Sequence, residues 1–420
     1  MGEGDEFKFG CKLPFSEPSW YDSRNDSPYY TEAHKVFRGQ MREFVDNYVI
    51  PNVEKWEKDG IPREAFQKAA KVGLIPTILG WPEDCVSTPR PEGFDGLFLV
   101  IAFDELCRCA SGGIVWGLVG GLGIGAPPVA HYGTDEMRQR VLRPCLDGDA
   151  NIALAVSEAT AGSDVGNLST TAEEQGDFYI VNGLKKWITC SMFADYFTVA
   201  ARTGGKGSGM MGISLILVER SMPGVTVREM DCMGAKGSGT GFVEFDDVKV
   251  PKANYIGDVT CLLRNFITER LGIALQANRF ARECLKESIE YAKRRKAFGK
   301  KLEDQPVVRA KIANMALRVE STHALIESLA FRIVAQERRG EDWFDAILRI
   351  GAEAGLAKVA ATDTFEFCAR EAAMIHGGNS YVKGNKIESL YRHVLSLSIP
   401  GGSSDVILDA SARLALKGML

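Results

Sequence analysis

Leu154–Thr189 reads LAVSEATAGSDVGNLSTTAEEQGDFYIVNGLKKWIT, and two features within it decide how the surrounding chain folds. The turn Ala161-Gly162-Ser163-Asp164 carries no bulky side chain, so its backbone N–H groups and the Ser163 hydroxyl can approach a pyrophosphate, as an anion-binding backbone concavity requires. Asn182-Gly183 is a hairpin signal, because both residues tolerate the positive φ of a type I′ turn. It is expected to join strands Phe178–Val181 and Lys185–Thr189. On the second strand Trp187 offers a flat face to a planar ring, and Thr189 a hydroxyl on the same side two residues on. A lone strand tryptophan also suits core packing, and both readings stand at this point.

Either side of this stretch the texture changes. Residues 1–150 read mainly as helices with polar faces. In Thr31–Tyr48 the residues Val36, Phe37, Met41, Phe44, Val45 and Tyr48 recur at helical steps, and Asp135–Leu142 gives a shorter helical pattern. Over 151–255 the runs Tyr196–Ala201, Ile213–Val218, Val225–Val227 and Phe242–Val250 are β-branched and separated by glycine turns. After Pro251 helical periodicity returns: Arg270–Arg294 forms one helix, Pro306 opens a second, and Gly340 ends it. The expected architecture is α+β multidomain, with an N-terminal helical domain over 1–150, a central β domain over 151–255 and a C-terminal helical bundle over 256–420.

Composition narrows the function classes. With 420 residues, 45% apolar and 25% charged, the chain has ordinary globular values and a substantial core. A net charge of −5 argues against a nucleic-acid partner, whose footprint is basic. The ten cysteines are scattered, and Cys107-x-Cys109 has the wrong spacing for a metal or redox motif, so reduced thiols and no metal are expected. Gly112–Ala130 is apolar but carries glycines and Pro127-Pro128, which predicts an interrupted run and no membrane partner. Met1–Glu6 is too acidic for a mitochondrial presequence, and Gly418-Met419-Leu420 is not a peroxisomal address, so a cytoplasmic location is expected. Gly121-Leu-Gly123-Ile-Gly125-Ala126 has dinucleotide-fingerprint spacing but leads into Pro127-Pro128, and close packing between helices is the better account.

Leu154–Thr189 resembles the flavin-binding middle domain of the acyl-CoA dehydrogenase family. Ser157, Glu158, Gly162, Ser163, Asp164, Trp187 and Thr189 fit the family text, while Ala159-Thr160 replace the usual Pro-Gly. The resemblance covers nearly the whole chain from about Tyr30 and implies a helical N-terminal domain, a β-barrel-like middle domain and a C-terminal four-helix bundle. It implies FAD, held by Leu154, Ala155, Val156, Ser157, Gly162, Ser163, Trp187, Ile188 and Thr189. Tyr291–Gly299 resembles the family's Y-A-x-x-R-x-x-F-G, in which the arginine reaches a neighbouring subunit's flavin pyrophosphate. By that match Arg295 and Phe298 touch cofactor across an interface, and a homotetramer follows. Taken as composition alone, Lys293–Lys301 equally suits solvation of a helix C-terminus. Met374-Ile-His376-Gly377-Gly378-Asn379-Ser380-Tyr381 resembles Q-I-F-G-G-N-G-Y, with Met374 and His376 replacing the usual glutamine and aromatic. Gln305 stands one residue before the position of a flavin-contacting glutamine, and Gly402, Ser403 and Asp405 complete the implied cofactor set.

Most of the family places its catalytic glutamate in Y-E-G-T, about twenty residues after the final tyrosine of the preceding motif. That slot holds Gly401 here, within Ile399-Pro-Gly-Gly-Ser-Ser-Asp405, and a glycine cannot abstract a proton. Isovaleryl- and long-chain-type members instead place the glutamate before an arginine on an earlier helix, 22 residues ahead of the motif tyrosine. Glu269-Arg270 precedes Tyr291 by 22 residues. The resemblance therefore implies Glu269 as the base that takes an α-proton, Arg270 as its electrostatic neighbour, and the Gly401 N–H as a donor to a thioester carbonyl. The implied substrate is acyl-CoA-like, and the electron acceptor an electron-transfer flavoprotein or oxygen. Ile267 replaces the aspartate that binds pantetheine, and Asp258–Glu269 lacks the family's G-x-G-F loop. A carrier-bound or non-CoA metabolite is therefore the alternative substrate.

Overall fold

The computed structural model describes residues 13–22, 25, 27–205 and 207–416; the Met1–Glu6 and Gly418-Met419-Leu420 segments lie outside them. The order is helical, then β, then helical. The chain divides into two compact units, one of Met1–Pro51, Pro91–Gly112 and Arg270–Leu420, the other of Asn52–Arg90 and Gly113–Glu269.

In the second unit, eight strands make one sheet: β1 (Ile152–Ala155), β2 (Thr171–Gln175), β3 (Phe178–Ile188), β4 (Tyr196–Arg202), β5 (Ile213–Glu219), β6 (Val225–Glu229), β7 (Gly241–Pro251) and β8 (Tyr255–Asp258). Their hydrogen-bonded order is β6-β7-β3-β2-β4-β5-β8, with β1 parallel to β4 off that path. Strand alternation, reset on β7 by a bulge between Phe245 and Val248, sends Phe197, Val199 and Ala201 of β4 and Val243, Phe245, Val248 and Val250 of β7 into one core with Val181, Ile216 and Val218.

The expected hairpin at Asn182-Gly183 does not form. The chain turns instead at Gly176 (φ 58°), and β3 runs on through Asn182-Gly183 with a bulge against β7. The Asn182 Nδ2 donates to Asp247 Oδ1 at 2.9 Å, while the Asp247 N–H donates back to Asn182 Oδ1 at 2.8 Å. Gly183 is needed for space as well, since a Cβ there would lie 2.7 Å from Thr170 Cα. A second bulge between Lys185 and Ile188 takes Trp187 to φ 64°, so simple alternation no longer relates Trp187 to Thr189.

The Gly121–Gly125 helix packs on two sides: Gly123 meets Ile78 of the Leu74–Ile78 helix, as expected, while Gly121 and Gly125 lie on β1, a helix-on-strand contact that was not. A Cβ at Gly121 would stand 2.8 Å from Ile152 O, and one at Gly125 2.9 Å from the Ala153 carbonyl carbon. Gly112–Tyr132 is helical with a break at Ala126, immediately before Pro127-Pro128, and the helix resumes through the prolines. It is the described helix long and apolar enough to cross a membrane by length and composition, and 83% of its apolar window is buried inside the protein.

The helical unit contains Glu32–Phe44, Leu97–Leu106, Pro306–Glu337, Gly351–His376, Ser404–Leu416 and the Arg270–Arg294 part of a helix that begins at Val259. That helix starts earlier than its periodicity predicts because Asp258 Oδ1 accepts the Thr260 N–H at 2.8 Å, as a helix-opening cap does. Buried charges tie this unit together. Fully buried Arg279 donates to Glu17 at 3.0 Å, Asp104 at 3.1 Å and Glu283 at 2.8 Å, and Arg42 joins Glu17 at 3.1 Å to Glu105 at 2.9 Å. Burial alone would raise the Glu17 carboxyl, but the Arg279 and Arg42 cations hold it down to about 2. Arg279→Met leaves Glu17, Asp104 and Glu283 without their shared cation. Urea unfolding of that variant is expected to show a loss of about 3–5 kcal/mol, the usual consequence of stripping one partner from a buried charge cluster.

Candidate active site

β1 hands the chain to Val156–Asp164, and Glu158 gathers that segment. Only 2% exposed, its Oε1 accepts from Lys185 Nζ at 2.8 Å, the Thr170 N–H at 2.9 Å and Thr170 Oγ1 at 2.6 Å. Its Oε2 accepts from the Ser169 N–H and Ser169 Oγ, both at 2.6 Å. Lys185, itself inaccessible, also donates to Val156 O at 2.8 Å, and the Lys186 N–H to Ser157 O at 2.9 Å. Burial would raise the Glu158 carboxyl, but the Lys185 charge and these donors draw it down to about 2.

Leu154, Ala155, Val156 and Ile188 are buried framework beside this pair, Ser157 and Thr189 are half-buried, and Gly162 and Ser163 are exposed. Nothing lies within 4 Å of a Cβ placed on Gly162. Trp187 is 47% exposed, so it is not a core residue, and its left-handed backbone holds the indole open beside the loop. An open aromatic face, hydroxyls at Ser157, Ser163 and Thr189, and an unobstructed glycine turn together match a planar ring joined to a pyrophosphate. The residues fit FAD.

Glu269 lies inside the Val259–Arg294 helix and is 9% exposed, unlike most helix carboxylates, which face solvent. One turn earlier, Asn265 Nδ2 donates to Ile124 O at 2.6 Å and anchors this stretch. The next residue, Arg270, donates through Nε to Gly401 O at 2.9 Å. Gly401 (φ 68°) and Gly402 (φ 98°) are both left-handed, so a side chain at either position would be strained. The slot that holds glutamate in most of the family has a backbone suited to glycine.

The two remaining motifs meet each other. The Tyr291 and His376 rings stack with centroids 4.4 Å apart, and Asn379 Nδ2 donates to the Tyr291 hydroxyl at 3.2 Å. Burial lowers the His376 pKa, and its Nδ1 pairs with Ala372 O at 2.9 Å, so a neutral imidazole keeps the flat face that an aromatic would supply. Phe298 (φ 54°) and Gly299 (φ 74°) form the tip of the Lys296–Ala297/Lys300–Lys301 hairpin, which leaves Phe298 95% exposed. Arg295, Met374, Gly377 and Gly378 are exposed too, so none of these residues is used up in its own chain's core. Gln305 immediately precedes the Pro306–Glu337 helix, and Gly402, Ser403 and Asp405 stand at the start of Ser404–Leu416.

Two lysines escaped the sequence reading. Lys185 has no local signal, because it stands in sequence between exposed Leu184 and half-buried Lys186, and only the assembled strands bring it to Glu158. Lys358 does have one: it is the lone cation in the apolar run Ala354–Ala361. Glu158→Gln removes the charge that Lys185 requires, and FAD affinity is expected to fall about tenfold or more in a fluorescence titration of apoprotein. The acid response follows from the carboxyl lying below its ordinary 4.5: its stabilisation is complete above pH 4.5 and is lost as pH falls toward about 2. Acid titration of the variant should lack this component.

Comparison with known proteins bears on the whole chain. The acyl-CoA dehydrogenase N-terminal, middle and C-terminal domain models match residues 31–149, 153–248 and 259–416. An acyl-CoA dehydrogenase of Alternaria alternata is 34% identical over 96% of this chain and 96% of its own. The CarC subunit of the caffeyl-CoA reductase-Etf complex of Acetobacterium woodii is 32% identical over 93% of this chain and 99% of its own. The crystal structure of acyl-CoA dehydrogenase from Geobacillus kaustophilus matches with a TM-score of 0.82 at 30% identity, covering 93% of this chain and all of that one. The chain belongs to the acyl-CoA dehydrogenase family of FAD-dependent oxidoreductases.

Proposed function

We propose that this enzyme converts an acyl-CoA thioester to its 2-enoyl thioester, with Glu269 taking the α-proton. Bound FAD supplies the acceptor for the β-hydride. The observation that carries the reading is the pairing of a buried carboxylate at 269 with a left-handed glycine at 401. Burial keeps water from competing for the Glu269 oxygens, and a positioned base of this kind contributes roughly 10²–10⁴ in rate. The Gly401 N–H donates to the thioester carbonyl and steadies the negative charge that grows there as the α-proton leaves. Arg270 contributes by holding the Gly401 carbonyl and by its charge beside Glu269.

CoA as the carrier is supported by relatives such as the rat short-chain specific acyl-CoA dehydrogenase, 30% identical over 93% of this chain. Ile267, where an aspartate would bind pantetheine, favours a second reading in which the acyl group rides on another carrier or on none. Electrons leave to an electron-transfer flavoprotein or to oxygen; the Acetobacterium relative belongs to a complex with Etf. The exposed Arg295, Phe298, Gly377 and Gly378 would complete the cofactor site of a neighbouring copy in a homotetramer.

Anaerobic stopped-flow mixing of the FAD-loaded enzyme with short, branched and long acyl-CoAs should bleach the flavin band. Glu269→Gln should slow that bleaching at least about 10²-fold with FAD content unchanged. Bleaching at the wild-type rate in the variant rules out Glu269 as the base, and bleaching only by non-CoA thioesters selects the second reading.

A further inference from the structure

Lys358 sits within the Gly351–His376 helix with no accessible surface. Its ammonium donates to the carbonyl oxygens of Ser398 at 2.5 Å and Gly402 at 2.8 Å. Helix packing alone would favour an apolar residue there, because taking an ammonium out of water is costly unless its donors are well matched. The carbonyls it holds bracket Gly401, whose own carbonyl is taken by Arg270 at 2.9 Å. The carbonyls of the helix-ending Ser398 and of Gly401 and Gly402 in the loop after it therefore turn toward two cations carried by two different helices.

The consequence falls on the opposite side of the same peptides. In a trans peptide the N–H points away from the C=O, and no peptide bond here is cis. Fixing the Gly401 and Gly402 oxygens toward the cations sends the N–H groups of Gly402 and Ser403 the other way. Among the described residues, Gly402 closes a tight turn over Pro400-Gly401, whereas the N–H groups of Gly401 and Ser403 donate to no protein acceptor. The cations also polarise the peptides whose oxygens they hold, which makes the attached N–H groups better donors.

We propose that Lys358 is a positioning residue for the reaction: by holding the Gly402 carbonyl it fixes the Gly401–Ser403 turn so that the Ser403 N–H joins that of Gly401 in receiving the substrate's thioester oxygen. This rests on the acyl-thioester reading, and the test separates the two. The FAD-loaded enzyme is titrated calorimetrically with crotonyl-CoA and with its thioether analogue, in which CH2 replaces the carbonyl. Wild type should prefer the thioester by about tenfold or more. Lys358→Met should erase that preference while retaining FAD and binding the thioether as wild type does. A variant that keeps the preference, or that weakens on both ligands equally, overturns the proposal for Lys358. A wild type that binds neither ligand overturns the acyl-CoA reading itself. Should Lys358→Met fail to fold, Gly402→Ala disturbs the same carbonyl from the other side: φ is 98° there and its Cβ would meet Ile407 at 3.2 Å. The same loss of preference is expected, and an undiminished preference overturns the proposal.

Discussion

The hydrogen bond from Arg270 to the Gly401 carbonyl is the contact on which the proposed chemistry depends. Arg270 follows Glu269 directly in one continuous helix, so whatever fixes the arginine also fixes the axial position of the carboxylate. The arginine can grip that carbonyl because residues 401 and 402 adopt left-handed conformations that glycine reaches without strain. A glutamate at 401 would have to be held against its backbone preference. On the proposed reading, a base on the helix and a glycine in the loop are two sides of one constraint, since each makes the other tolerable.

Buried charge recurs elsewhere in the molecule, and each case follows one rule. Glu158 with Lys185 fixes the loop leaving β1, Arg279 joins three carboxylates, and Lys358 holds two carbonyls. In each, the cost of removing an ion from water is offset by several short, well-directed partners. Such groups add less net stability than apolar packing would, but they tolerate only one geometry. That property suits places where a loop must present backbone donors or an open aromatic ring without drifting.

Much of the fold was legible because period-3.6 and period-2 patterns are long here and agree with their flanking turns. The order of helical, β and helical regions could be read directly. Failures came where a local signal met a tertiary contact. Asn182-Gly183 has hairpin chemistry, but Asp247 and Thr170 claim it for a bulge. The glycines of Gly121–Gly125 suggest contact between helices, which Gly123 makes with Ile78, but a β-strand lies against Gly121 and Gly125. Trp187 and Thr189 looked like neighbours on one strand face until a bulge intervened. Lys185 was hidden for a simpler reason: lysine is usually at the surface, and only the assembled structure shows what surrounds it, whereas Lys358 stands out as the lone cation of an apolar run.

The central claim is a spatial one, that the Glu269 carboxylate faces the α-carbon of a bound acyl thioester. A crystal structure of the FAD-loaded enzyme with a non-reactive acyl-CoA analogue tests it most directly. The account predicts a Glu269 oxygen within about 3.5 Å of the α-carbon, the range of a reactive approach. A different carboxylate at that carbon, with Glu269 turned away from the ligand, would contradict it.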